Sequence, residues 1–257
     1  MKEKKMLKTG FEAFDNTYGG LEKGHVILLG GRPAMGKSAF AISLTDNICQ
    51  RKEDKCLYAS ADQNLQVPKI CDRLVTTHMG TIGGNNVYED ELTSRRIALN
   101  DVDKYSLILM DAFFESIDYK IEFFLREARR EQVSLIVIDG LQKWFTSASG
   151  RLHKKIMNSF IQMIKELAVE QNCPILILSD LEMTADRKKD HRPGVADIRG
   201  IHDPFSVVDD VLLLFREEYY DKDTSRKEIA EVIVPSNCSD AVSKIDLKFS
   251  HKYARFY

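Results

Sequence analysis

No apolar run in this 257-residue chain approaches the ~18 residues of a membrane span. Residues 1–8, with four Lys and one Glu, lead into no apolar stretch of the kind a secretory leader needs. Cysteine is sparse: Cys49, Cys56, Cys71, Cys173 and Cys238 are odd in number, scattered, and form no C-x-x-C pair. A disulfide framework and a metal or redox role are both disfavoured, and the thiols read as reduced in a cytoplasmic compartment. Cys56 and Cys173 begin apolar runs, where a small buried hydrophobe explains them. Charge of one sign is missing too. With 37 Lys+Arg against 39 Asp+Glu the formal net charge is −2, so bulk electrostatics cannot draw the chain to a polyanion. Any nucleic-acid binding has to come from local patches.

What is present is ordinary for a globular chain, 44% hydrophobic and 30% charged. A chain this long buries about three quarters of the surface its unfolded form exposes. At about 150 residues per domain the length allows one domain or two. Short, continuous apolar runs at 25–30 (HVILLG), 56–60 (CLYAS), 106–110 (SLILM), 134–138 (SLIVI) and 173–179 (CPILILS) read as strands buried on both faces. Segments 37–51, 67–78, 88–99, 116–132 and 154–171 carry apolar residues at helical spacing between them. Such alternation predicts βαβ units: an α/β fold with a mostly parallel central sheet flanked by helices. Beyond residue 180 the runs 207–215, 229–234 and 241–249 follow one another with polar turns, so antiparallel strands are expected at the C-terminal end. The 80–86 stretch (GTIGGNN) reads as a loop too short to separate domains, and a single domain is expected.

Gly31-Arg32-Pro33-Ala34-Met35-Gly36-Lys37-Ser38 matches G-x-x-x-x-G-K-[ST]. The glycines allow a tight turn whose backbone N–H groups face phosphate oxygens, and the following helix adds its positive end. Lys37 is placed to reach the β- and γ-phosphates, and the Ser38 hydroxyl to coordinate Mg²⁺. This string arises by chance in roughly one chain of this length in a hundred. Here an apolar strand enters it and a helical pattern leaves it, which identifies a phosphate-binding P-loop and implies ATP and Mg²⁺ as ligands. Asp139 follows a buried strand, where α/β sheets place ligand chemistry. With a phosphate loop upstream, the metal-holding Walker-B reading is favoured over a simple turn aspartate. Asp62, just past the 56–60 strand, is either a base that positions water or an N-cap or turn aspartate before the helix at 67. On these residues alone both readings of Asp62 stand.

Two segments could carry a polyanion. Residues 140–155 hold Lys143, Arg151, Lys154 and Lys155 with no acidic residue, together with Trp144 and Phe145. Basic groups interleaved with aromatics suit neutralisation of a nucleic-acid backbone with base stacking. Residues 187–192 hold Arg187, Lys188, Lys189 and Arg192 against one Asp. A solvated basic loop is the plainer reading of each, and the two aromatics could equally be core or subunit-contact residues.

Thr9-Gly10-Phe11, Phe14-Asp15, Gly19-Gly20-Leu21 and Gly24, followed by Gly31–Phe40, resemble the ATPase domain of DnaB-type replicative helicases. Further segments resemble that family in order and spacing. They are Val137-Ile138-Asp139-Gly140-Leu141-Gln142, Ile175 to Leu181, Arg192-Pro193 with Asp197-Ile198-Arg199, and Asp209 with Phe215 to Tyr220. The resemblance covers nearly the whole chain. It implies a RecA-like P-loop NTPase core over residues 9–257 behind a short basic segment 1–8, with Mg-ATP hydrolysis. It also implies a homo-oligomeric ring, a hexamer in that family, with single-stranded DNA in its channel, replication proteins as partners, and both basic loops facing that channel. Asp62 then matches the catalytic position. Because the pattern starts at Thr9, the expectation is one RecA-like domain without the family's N-terminal domain or linker helix.

Three departures from the family pattern bear on chemistry. Asp62 stands where the family carries a catalytic Glu, and a misplacement of about 1 Å can cost on the order of 10²-fold in rate. Asp180 stands where the family has a γ-phosphate-sensing Gln. Ser236-Asn237-Cys238 align with a Lys-x-Arg pair that reaches into the neighbouring site, and an arginine finger is worth ~10³–10⁵ in turnover. Arg226, Lys227 or Lys244 replace that pair only under another alignment of the stretch. Two functions fit: an ATP-driven helicase or translocase on single-stranded DNA, and a weakened ATP-binding switch or accessory protein that does not unwind. A kinase is disfavoured, since no Arg-rich lid segment is visible.

Overall fold

Alternate residues of the central strands point in opposite directions, and both sets are buried. Val26, Leu28, Leu57, Ile136, Ile138, Ile175 and Ile177 belong to one apolar layer. Ile27, Leu29, Tyr58, Val137, Leu176 and Leu178 belong to the other. A sheet covered on both faces needs unbroken apolar strands, which is the pattern the sequence carries. The computed structural model describes residues 5–62, 64–83, 91–112, 116–147, 149–235 and 242–257.

The elements run β1 (Met6–Leu7), α1 (Glu12–Tyr18), β2 (Leu21–Glu22), β3 (Val26–Gly31), α2 (Lys37–Cys49), β4 (Cys56–Ser60), α3 (Val67–Gly83), α4 (Glu91–Val102) and β5 (Leu107–Asp111). They continue with α5 (Ile117–Arg130), β6 (Leu135–Asp139), α6 (Leu141–Trp144), α7 (Lys154–Gln171), β7 (Ile175–Asp180), β8 (Asp210–Phe215), β9 (Ile229–Pro235), β10 (Val242–Ser250) and β11 (Arg255–Phe256). Among the described residues nine strands form one sheet, in the order β11-β10-β9-β8-β3-β7-β6-β4-β5. From β8 to β5 every pairing is parallel. β9, β10 and β11 add antiparallel strands at one edge. β10 alternates exposed and buried positions, as a strand with one wet face does.

The expected α/β architecture is present. Three local readings change. Residues 80–83, expected to open a loop, belong to α3, which runs through Gly83; the rest of the 80–86 stretch lies outside the described residues. The helix expected from 88 is described from Glu91 and ends at Val102. The strand expected from 207 starts at Asp210, because Pro204–Ser206 form a 3-10 turn ahead of it. The short β1–β2 pair, α1, α6 and β11 lack the length for a periodic signal and were not foreseen. Ser236, Asn237 and Cys238 lie outside the described residues, so the reading of a missing Lys-x-Arg pair gains no structural account.

α2 is buried on nearly all sides, and so is its Asp46. His78 Nδ1 lies 2.9 Å from the Asp46 carboxylate, the Tyr105 hydroxyl donates at 2.6 Å and Arg255 at 2.6 Å. Burial pushes the Asp46 carboxyl up, but the His78 hydrogen bond and the Arg255 charge outweigh it and hold it below the ordinary range. Burial pulls His78 down, while Asp46 and then Asp101 outweigh that and leave it raised. The cluster joins α2, α3, the segment after α4, and the C-terminal strand. Since the folded His78 value exceeds the unfolded one of about 6.5, its contribution is complete below that pH and is lost as pH rises through the folded value. Denaturant unfolding of wild type and His78→Gln should show a wild-type advantage of about 1–3 kcal/mol at pH 5. That advantage should shrink toward pH 9; a pH-independent difference contradicts the charged pair.

Candidate functional site

Strand register brings the site together. Gly31 on β3 is paired with Asp180 on β7, and Ser60 on β4 with Asp139 on β6. The carboxyl ends of four parallel strands therefore share one edge, where open α/β sheets bind ligands.

From that edge residues 31–38 curl into α2. Gly36 sits at φ 101°, a left-handed conformation that strains any other residue. A Cβ there would also press to 3.2 Å of Phe256. Met35 is buried and anchors the loop. α2 starts with no side-chain cap and no acidic residue in its first turn. Its first amides and its positive dipole end are left for an anion. Lys37 Nζ folds back, donating to the carbonyls of Gly31 (2.7 Å) and Arg32 (3.4 Å), and pairs with Asp180 Oδ1 at 3.1 Å. Arg32 turns away to clamp Asp186 and the Leu181 carbonyl. It braces the loop rather than reaching into the cleft.

Asp139 is 4% exposed. Burial pushes its carboxyl above the ordinary range, against the hydrogen bonds of Tyr58 and Ser38 and the charge of Lys37. The Tyr58 hydroxyl donates to Asp139 Oδ2 at 2.7 Å. Asp62 lies on a turn past β4, where its carboxylate accepts the Asn64 amide at 3.0 Å and pairs with Lys143. Burial opposes this, but Lys143 and the Asn64 amide hold the Asp62 carboxyl below its ordinary value. Asp62 is not the cap of α3: the Val67 amide donates to Asp111 from the end of β5, at 3.0 Å. Pro33, Ala34, residues 36–39, Asp62, Asp139 and Asp180 line one cleft of about 430 Å³.

Several residues that line or support the cleft were missed by sequence reasoning. Tyr58 looked like a strand aromatic. Arg73 lines the cleft from α3 and carries no motif signal. Arg216 enters from the end of β8, its guanidinium 4.2 Å over the Phe249 ring and paired with Glu218 at 2.6 Å; its segment carried the family resemblance, yet no role was read from it. Gln142 Nε2 donates to Ser179 Oγ and the Arg199 carbonyl, both at 2.8 Å, and its Oε1 accepts from the Asp180 amide at 2.9 Å. It ties the ends of β6 and β7 together.

The proposed polyanion residues do not form one group. Trp144 and Phe145 are fully buried; they pack on Phe160, and Trp144 also on Phe124. That removes them as stacking platforms, because α6 turns the apolar pair under the sheet. Lys143 lines the cleft and pairs with Asp62. Arg192 is committed to Glu231 at 2.6 Å and lies over the Phe215 ring, and Lys188 pairs with Asp197. Arg151, Lys154 and Lys155 remain exposed around the turn closed by the Thr146–Leu152 bridge. Arg187 and Lys189, on the second loop, are both exposed.

A glycine-rich loop opening a buried helix, its lysine, and a carboxylate ending the parallel strand two places away define a RecA-like P-loop NTPase fold. A family profile described as DnaB-like helicase C-terminal domain matches residues 6–257, and the chain belongs to that family. It is 26% identical over 259 residues to the replicative DNA helicase DnaB of Geobacillus stearothermophilus, covering 97% of this chain and 56% of that protein. It is 25% identical over 259 residues to the replicative DNA helicase DnaC of Bacillus subtilis (strain 168), with the same two coverages, 97% and 56%. The chain thus spans a little over half the length of these curated relatives. Among solved structures, a DnaB-like replicative helicase, described together with its interactions with primase, superposes with a TM-score of 0.82 at 22% identity, covering 98% of this chain and 61% of that one. A second solved structure, described as an ATPase domain, gives 0.81 at 22% identity, covering 98% and 90%.

The Lys143–Asp62 pair makes a direct prediction. In Lys143→Met the Asp62 carboxyl should titrate at higher pH than in wild type, followed by carbon NMR of the side-chain carboxyl. An unmoved titration contradicts the pairing.

Proposed function

We propose that the chain binds Mg-ATP in the cleft between residues 31–38 and Asp139 and hydrolyses it while acting on single-stranded DNA, as the motor domain of a DnaB-like replicative helicase. The observation that carries this reading is one cleft shared by the uncapped start of α2, Lys37, Ser38 and Asp139. Backbone amides and the helix end would grip phosphate oxygens, and Lys37 would neutralise the β- and γ-phosphates.

The donor set suits Mg²⁺. Ser38 and Asp139 offer two hard oxygen ligands in hydrogen-bonding relation. Among the described residues no group of three or more His, Cys, Asp or Glu forms a cage. Mg²⁺ takes one or two protein oxygens and completes its shell with water and phosphate; when bound it would neutralise charge on the terminal phosphate. Asp62 would orient the attacking water once released by Lys143, and Asp139 is kept ready to ionise by the Tyr58 hydrogen bond. Arg151, Lys154 and Lys155 would contact the DNA backbone; the two lysines open α7 with no acidic residue in its first turn. That placement runs against the helix dipole and suits an anionic partner. Arg187 and Lys189 would add to it from the second loop. The resemblance further supports a homo-oligomeric ring, hexameric in the family, with replication proteins as partners and a cytoplasmic setting. Among the described residues no helix is long and apolar enough to cross a membrane.

The second reading, an ATP-binding switch with weak turnover that does not unwind DNA, draws on the two ion pairs that occupy the cleft, Lys37–Asp180 and Lys143–Asp62. Phosphate release at saturating ATP, with and without single-stranded DNA, separates the two. The motor reading expects stimulation by DNA and a loss of about 10²-fold in Asp62→Asn. Tight ATP binding with no stimulated release in the assembled protein favours the switch. Lys37→Ala should weaken ATP binding by about tenfold or more; unchanged affinity overturns the site itself.

A further inference from the structure

We propose that Asp180 sets the balance between nucleoside triphosphate and diphosphate by competing with the terminal phosphate for Lys37; this rests on the nucleotide reading of the cleft. The competition is built into the backbone. Asp180 ends β7 directly beside Gly31. Its amide donates to Gln142 Oε1 at 2.9 Å, and its carbonyl accepts from the Arg199 amide at 3.0 Å. Those two bonds hold the residue still, with its carboxylate 3.1 Å from Lys37 Nζ. With Gly31 O at 2.7 Å and Arg32 O at 3.4 Å, the ammonium has a partner for each of its three protons. It is also largely shielded from water, at 12% exposure.

The cleft's other two carboxylates have their own support. Asp62 is held by Lys143 and the Asn64 amide, and Asp139 by the Tyr58 hydroxyl. Asp180 relies on Lys37. A diphosphate gripped by the loop amides lets Lys37 keep Asp180 while touching the nearer phosphate. A triphosphate adds charge at the strand edge, draws the ammonium outward and leaves Asp180 facing a like charge. At short range in a half-buried site one such charge contact is enough to shift affinity by about tenfold or more. Asp180 is therefore a specificity-determining residue that holds down the preference for the triphosphate.

The test is isothermal titration of the full chain with Mg-ADP and with a non-hydrolysable Mg-ATP analogue. Wild type, Asp180→Asn and Asp180→Gln are compared, with thermal melts confirming that all three are folded. Both variants keep the backbone bonds to Gln142 and Arg199. The expected result is a rise of about tenfold or more in affinity for the analogue, with ADP affinity shifting by about threefold or less. Unchanged analogue affinity, or equal gains for both nucleotides, overturns the role of Asp180 and leaves the nucleotide site standing. A fall in analogue affinity also overturns it, by making Asp180 a ligand of the metal or nucleotide. Failure of either nucleotide to bind folded wild type overturns the nucleotide reading and this role with it.

Discussion

Two register pairs, Gly31 with Asp180 and Ser60 with Asp139, carry the rest of the structure. A parallel strand buried on both faces has little freedom to slip, because a shift of one residue exchanges every side chain between two different apolar layers. Ile27 and Leu29 belong with the α1–α2 layer, Val26 and Leu28 with the α5–α7 layer. Packing therefore fixes the register, and the register fixes which groups end at the carboxyl edge. The phosphate loop, Asp180, Asp62 and Asp139 meet because hydrophobic burial far from the edge leaves them no other place.

α2 links this edge to the body of the protein. Its first turn is open to an anion, and its middle carries a fully buried carboxylate, Asp46, locked to His78, Tyr105 and Arg255. Asp46 and Asp139 are both buried aspartates, yet they are displaced in opposite directions. Asp46 has a direct guanidinium partner and several donors, so it stays ionised and acts as an anchor. Asp139 has a phenol, a hydroxyl and the charge of Lys37 against its burial, and desolvation prevails. A carboxylate so poorly compensated gains most from an incoming cation, which suits the metal-holding role proposed for Asp139.

Much of this was legible in the residues. The P-loop string, four buried strands and their helices followed from spacing and apolar runs, because those signals are local; the fifth run, β5, is a strand too, but it lies at the sheet edge and buries only Met110. The family resemblance rested on motifs whose order and gaps the fold preserves. What escaped was non-local. Nothing near Lys143 marks it as the partner of Asp62, which lies on another strand's turn. Trp144 and Phe145 sit in a basic, loop-like stretch, but the four-residue α6 is too short to show a period and turns both rings into the core. Arg192 reads as part of a basic run until β9 brings Glu231 against it. The cap of α3 comes from Asp111, 44 residues away in sequence, rather than from the nearby Asp62.

Within the cleft the working cations are already spoken for, with Lys37 on Asp180 and Lys143 on Asp62. On the proposed reading, nucleotide entry is an exchange of partners within a preformed site rather than the construction of one. Backbone hydrogen exchange of the full chain with and without Mg-ADP tests this most directly. The account predicts added protection concentrated in residues 31–40, 58–62 and 139–143, at the carboxyl edge of the sheet. Protection that spares those segments and appears instead at the groove around Cys71 and Leu99, between α3 and α4, would contradict it.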